Sequence, residues 1–256
     1  MQRTSRLLRK QLTPLFERNT RSARETRLAS QVIIGLSVLT IAGLGAVAVQ
    51  YERAEARNSE AGVTYSPPVA PIAANKEVTR FAVVGDSTTE GNSLDIRGGR
   101  PGDTSWVYYA QSNTTRFVGG WADSGAQTSI IAENFTEVKG AEVLVILAGQ
   151  NDTRAGVPFD EITDNLKQVV KTAGNVRVVV SSVLPQDDMP EKATEYNERL
   201  REYAQKQGWT WVDAAASIRD GDRYQEGLTE DGIHPTAEGA KILGNTLEKA
   251  IEDAGT

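Results

Sequence analysis

The sequence predicts a three-layer α/β/α sandwich built on a five-stranded parallel sheet and preceded by one N-terminal transmembrane helix. Three observations carry this: nearly continuous β-branched runs after residue 78, helix-periodic stretches between them, and a charge-free apolar segment over residues 31–50. Strands covered on both faces read as unbroken apolar runs, whereas half-buried strands alternate. Residues 81–84, 143–147 and 176–183 are of the unbroken kind, and 116–119 and 209–212 are weaker examples. Helices are expected over 105–111, 129–138, 159–173, 191–207 and 236–253. In the third of these, Phe159, Ile162, Leu166, Val169 and Val170 recur at helical spacing beside Asp160, Glu161, Asp164 and Lys167, giving one apolar and one wet face. Strands alternating with helices imply right-handed crossovers and a functional edge at the strand C-termini.

Charge divides the chain unevenly. Residues 1–30 carry eight basic and two acidic side chains, a surplus of +6 that leaves −12 on the remainder of a chain whose net charge is −6. A basic arm beside an acidic body can mark nucleic-acid binding. The next stretch explains it better. Residues 31–50 contain no charge and match the ~20 residues needed to cross a bilayer as a helix. The positive-inside rule then leaves residues 1–30 in the cytoplasm and everything after the helix outside. An alternative is a secreted protein, because Ala46-Val47-Ala48 also fits a signal-peptidase site; the long basic region and long apolar run favour the uncleaved anchor. Residues 51–77 are polar, then rich in Pro and Ala, and read as a linker holding residues 78–256 clear of the membrane.

Composition narrows the chemistry. A 256-residue chain that is 39% hydrophobic supports one good-sized core. With no cysteine, disulfide frameworks and thiolate metal sites are excluded, and a single histidine rules out a multi-histidine metal centre. Asp220, Asp222 and Glu226 do not have the spacing of an EF-hand loop and read as a solvated loop. No cofactor is called for, and oligomeric state is not legible.

The polar residues expected at the strand ends form a set. Gly85-Asp86-Ser87 follows the first strand, Asp123-Ser124-Gly125-Ala126 the second and Gly149-Gln150-Asn151-Asp152 the third, while Asp231-Gly232-Ile233-His234 precedes the last helix. Together they offer a hydroxyl nucleophile, a base, a carboxylate to orient the base, and amide donors for an oxyanion. Acyl transfer needs those parts. Singly, each also has a plain structural reading: Ser87 as a helix cap, Asn151-Asp152 as a turn, Gly125 as a left-handed glycine. Asp86 and Asp152 read as structural groups and not as proton carriers.

These four blocks, in this order, resemble those of the SGNH hydrolases, the GDSL-type esterases and lipases. The resemblance spans residues 78 to about 240, leaves residues 1–77 outside, and is loosest at Gly125, where Gly119 and Gly120 compete for the alignment. It implies a flavodoxin-like sheet and a serine esterase with Ser87, Asp231 and His234 as catalytic residues. It further implies an oxyanion hole from the Ser87 and Gly125 N–H groups and the Asn151 amide. The loops at 92–109, with Arg97, Arg100, Trp106, Tyr108 and Tyr109, and at 154–159 would border the substrate, although Trp106 and Tyr108 read equally well as core aromatics. The expected substrate is a carboxylic ester, with O-acetyl groups on cell-envelope glycans as one possibility. Acyl transfer, action on lipids or thioesters, and a non-catalytic glycan-binding module are the alternatives.

Overall fold

The computed structural model describes residues 78–256; the basic arm, the membrane helix and the linker expected over residues 1–77 lie outside the described residues. Five parallel strands form the sheet: β1 (Thr79–Gly85), β2 (Thr115–Ala122), β3 (Val143–Leu147), β4 (Arg177–Ser181) and β5 (Thr210–Val212), in the order β2-β1-β3-β4-β5. The helices are α1 (Ser87–Glu90), α2 (Trp106–Tyr109), α3 (Thr128–Asn134), α4 (Gln150–Ala155), α5 (Phe159–Ala173), α6 (Pro190–Gln207) and α7 (Ala237–Gly255).

Strand alternation sorts the core into two layers. Phe81, Val83, Val143, Val145 and Val179 face one side, where Trp106 and Val107 of α2 and Leu243, Leu247 and Ile251 of α7 cover them. Ala82, Val84, Leu144, Ile146 and Val180 face the other, beneath Ile131 of α3, Ile162, Leu166 and Val169 of α5, and Tyr196 and Leu200 of α6. Both faces of β3 are fully buried, which is why its sequence shows no polar alternation.

The strand order places β1 between β2 and β3, so the chain leaves β1 for one edge and returns past it to reach the other. Such a reversal opens a crevice at the carboxyl ends of β1 and β3. Ser87 begins α1 directly after β1, and Asn151 lies in α4 directly after β3.

Three local features differ from the sequence expectation. β2 runs on to Ala122 through Gly119-Gly120, because a register shift opposite Phe81 and Ala82 absorbs the irregularity that a glycine pair suggests as a strand end. α3 stops at Asn134, where Phe135 turns to extended backbone and buries its ring in the core. Residues 219–224, expected as loop, form a hairpin of β6 (Arg219–Asp220) and β7 (Arg223–Tyr224), with Gly221 at φ 62° in the turn. Among the described residues no helix is long and apolar enough to cross a membrane.

Candidate active site

Ser87 owes its position to its two neighbours. Gly85, the last residue of β1, has no room for a side chain, since a Cβ there would lie 2.1 Å from Thr89 Oγ1 and 2.8 Å from the Leu147 carbonyl oxygen. Asp86 caps α1 by accepting the Thr88 N–H at 3.0 Å. The buried Trp106 indole N–H donates to Thr89 Oγ1 at 3.1 Å and holds α1 from below. Trp106 is therefore a core aromatic that supports the helix beginning at Ser87 and not a substrate platform.

His234 Nε2 lies 2.9 Å from Ser87 Oγ, and His234 Nδ1 lies 2.7 Å from Asp231 Oδ2. Asp231 as a carboxylate only accepts, so Nδ1 carries the proton and Nε2 presents its lone pair to the serine hydroxyl. The other carboxylate oxygen, Oδ1, accepts the Ile233 and His234 N–H groups at 2.9 and 2.7 Å. Burial pushes the Asp231 carboxyl up, but hydrogen bonds from the His234 ring and from the His234 and Ile233 backbone outweigh it and hold the group at about 2. Asp231 is thus ionised across the working range of an esterase.

Residues that the sequence motifs did not single out hold this turn. Thr229 Oγ1 accepts the Gly232 N–H at 2.9 Å and donates to the His234 carbonyl at 2.8 Å. The buried Tyr224 hydroxyl donates to the Ile233 carbonyl at 2.8 Å, and the Asp187 N–H donates to the Gly232 carbonyl at 2.9 Å. Only the threonine, two residues before Asp231, has a local signal, that of a side chain closing a turn.

The Asn151 amide sits between the other two blocks. Its Nδ2 donates to Asp86 Oδ2 at 3.3 Å and to the Ala126 carbonyl at 3.0 Å, which ties it to the residue before Ser87 and the residue after Gly125. Gly125 has φ +77°. The backbone N–H groups of Ser87 and Gly125 have no hydrogen-bond acceptor among the described residues. Asp152 fixes the relation of these loops by accepting the Thr128 N–H at 2.9 Å and its hydroxyl at 2.6 Å, so α4 is pinned to the start of α3. α4 itself starts at Gly149 with φ +109°, where a Cβ would overlap the Tyr196 hydroxyl that donates to Ala148 O. Asn151 is expected from the sequence as an oxyanion donor, but no helix is expected here; five polar residues and one alanine give no helical periodicity to detect.

Arg97 lies 5.1 Å over the Trp121 ring and 3.6 Å from Asp123, and Arg100 pairs with Asp95. Arg154 grips Asp188 with two hydrogen bonds of 2.8 and 2.9 Å and reaches Gln186 at 3.0 Å. These arginines are engaged in holding loops. Among the described residues no group of three or more His, Cys, Asp or Glu side chains is arranged to hold a metal ion.

Asp86 is 1% exposed. Burial raises its carboxyl from 3.8 to about 6, against the lowering effects of the Thr88 N–H and of His234. An acid whose folded value is raised is held preferentially in its protonated form by the native state, so stability is greatest below the unfolded value and is lost as pH rises from about 4 to about 6. A shift of this size corresponds to ~3 kcal/mol. Asp86→Asn keeps a capping oxygen but cannot ionise. Urea unfolding of both proteins from pH 4 to pH 7.5 should show the wild type losing stability relative to the variant by about this amount; parallel pH profiles would show that Asp86 carries no such cost.

Comparison with known proteins agrees with this geometry. A family model described as GDSL-like lipase/acylhydrolase matches residues 83–242, while no curated protein matches the sequence. Among solved structures, a catalytic mutant of an acetylxylan esterase from Geobacillus stearothermophilus is 19% identical, with 69% of this chain and 95% of that one covered at a TM-score of 0.57. A GDSL-like lipase from Bacteroides thetaiotaomicron is 23% identical, with 80% and 98% covered at 0.54. A member of the lipolytic G-D-S-L family from Veillonella parvula is 16% identical, with 67% and 97% covered at 0.55. At these identities the structural likeness concerns the fold. The family match spans more than half of the chain and contains all four motif blocks, and so this chain belongs to the GDSL-like lipase/acylhydrolase family and is a serine hydrolase acting on ester bonds.

Proposed function

We propose that the protein is an extracytoplasmic esterase, tethered by residues 31–50, that removes small acyl groups from cell-envelope glycans through an acyl-enzyme on Ser87. The observation that carries the reading is the serine–histidine–aspartate relay of 2.9 and 2.7 Å standing open to solvent, with the His234 and Asp231 side chains 46% and 52% exposed. An exposed relay suits an ester displayed on a bulky polymer. The acetylxylan esterase likeness supports the same class of substrate.

In this reading the Ser87 oxygen attacks the ester carbonyl as its proton passes to His234 Nε2, and Asp231 stabilises the imidazolium through Nδ1–H. The carbonyl oxygen becomes an oxyanion held by the Ser87 and Gly125 N–H groups and the Asn151 amide. Collapse expels the alcohol oxygen, which takes the proton from His234, and leaves Ser87 acylated. Water then repeats the sequence: His234 accepts its proton, the hydroxide oxygen bonds to the acyl carbon, and the proton returns to Ser87 as the carboxylic acid leaves. The assembled relay argues against a purely glycan-binding role.

A second reading, a lipid or thioester hydrolase, is favoured by Leu94 and Ile130, which are exposed at 57% and 42% on the segments following α1 and the Gly125 loop. Chain length separates the two. On p-nitrophenyl esters of increasing acyl length and on O-acetylated oligosaccharides, the full-length protein should prefer acetyl. A kcat/KM that climbs toward long acyl chains would replace the glycan reading with the lipid one. For the tether, protease added outside intact cells should cut within residues 51–77 and release active enzyme; protection of the active part inside would overturn the topology.

A further inference from the structure

A second concavity lies on the sheet edge that carries Ser87, but at the β4–β5 end. It is a cavity of ≈ 530 Å³ between α6, the ends of β4 and β5, and the β6–β7 hairpin, lined by Asn197, Glu198, Arg201, Trp211, Asp213 and Arg219 among others. That volume lies within the ~300–1,000 Å³ of small-ligand sites. Its walls are fixed by bonds that fold-level packing does not require. Asp213 and Arg219 form a two-pronged ion pair at 2.6 and 2.7 Å that clamps the hairpin to the end of β5. Asn197 takes both the N–H and the carbonyl of Val183, at 2.8 and 3.0 Å, and clamps α6 to the segment after β4.

The lining selects a ligand class. Glu198, Arg201 and Asp222 line the cavity as exposed side chains with no hydrogen bond or ion pair among the described residues, and Trp211 offers an aromatic surface on the same wall. Two cations face three anions when Asp213 and Arg219 are included, so neither a polyanion nor an acyl chain is suited. Planar hydrogen-bonding side chains around an aromatic face suit the hydroxyls and flat apolar faces of neutral sugars.

Its position relates it to the candidate catalytic residues. Strands lie ~4.8 Å apart, so β4 and β5 stand about 10 and 14 Å from β1 along the edge. The hairpin that walls the cavity also meets the turn that carries His234: the Tyr224 hydroxyl donates to Ile233 O, its N–H donates to Asp187 Oδ1 at 3.0 Å, and Arg223 donates to the Asp187 carbonyl. From these facts we infer that the cavity is a remote sugar subsite, which holds the glycan chain two or three units from the residue whose ester lies at Ser87. The inference rests on the glycan-esterase reading and adds where the polymer is gripped.

The test compares p-nitrophenyl acetate, an O-acetylated xylose monosaccharide and O-acetylated xylotetraose on the full-length protein. Wild-type kcat/KM should rise on the order of tenfold from monosaccharide to tetrasaccharide, since remote binding energy is available only to the longer substrate. Trp211→Ala and, independently, the exposed pair Glu198→Ala with Arg201→Ala should abolish that rise and leave p-nitrophenyl acetate turnover unchanged. The pair is included because Trp211 also packs on the core. A rise that survives in the paired variant, or no rise in a wild type that does cleave acetylated tetrasaccharide, overturns the subsite. If the wild type cleaves only p-nitrophenyl acetate, it is the glycan-esterase reading that fails. The subsite is then judged by titrating xylotetraose into the Ser87→Ala protein and following the Trp211 indole N–H by NMR: a saturable shift supports it and an unmoved signal overturns it.

Discussion

Ser87→Ala is expected to lower kcat by roughly 10⁴- to 10⁶-fold on p-nitrophenyl acetate and to abolish covalent labelling by a fluorophosphonate, with the urea midpoint unchanged. The size follows from the proposed relay, in which loss of the hydroxyl removes the acyl-enzyme and leaves His234 and Asp231 with no nucleophile to serve. The fold should not notice, because among the described residues the hydrogen bond of Ser87 Oγ is to His234 Nε2 while the cap of α1 is supplied by Asp86. His234→Ala should cost about as much, and the double variant little more than either alone, since the residues act as one unit. Residual activity within about tenfold of wild type in Ser87→Ala would remove it as nucleophile. Because His234 is the chain's only histidine, its ring signals can be followed without overlap and report directly on whether Ser87→Ala leaves the imidazole's surroundings intact.

The parts of this molecule that were legible in the sequence are those whose signal is local. β3 and α5 have the bounds expected from their patterns, because a fully buried strand is apolar throughout and a half-buried helix repeats every 3.6 residues. The meeting of Asp231 with His234 was legible because they stand three residues apart and come together within one turn of chain. What stayed hidden depends on residues remote in sequence. Nothing near Gly149 announces α4; its left-handed start is enforced by Tyr196, which lies 47 residues further on in α6. Tyr224, Asp187 and Thr229 look unremarkable singly and acquire a role only when the hairpin and the segment after β4 close on the turn that carries Asp231 and His234. Gly119-Gly120 misled in the opposite direction, since a local breaker signal was overruled by pairing with β1 on the neighbouring strand.

The link between Asp86 and Asn151 belongs to the same hidden class and determines the second large effect. Asn151→Ala is expected to reduce kcat by about 10²- to 10³-fold, or ~2.7–4 kcal/mol of transition-state stabilisation, with KM little changed. An amide nitrogen has two hydrogens, and both are engaged here, one by the Asp86 carboxylate and one by the Ala126 carbonyl. To meet an oxyanion the amide must give up one of them. The Ala126 carbonyl is a neutral acceptor beside Gly125, so exchanging it for a fully developed negative charge strengthens the bond only as the transition state forms. Asp86 meanwhile retains the other hydrogen and keeps the amide aimed at the crevice. The exchange predicts a kcat effect: a ground-state ester carbonyl competes poorly with Ala126, whereas the oxyanion does not. A loss in Asn151→Ala expressed mainly as raised KM, or a fall in kcat of less than about fivefold, would mean that the amide holds the two loops together and does not stabilise the transition state.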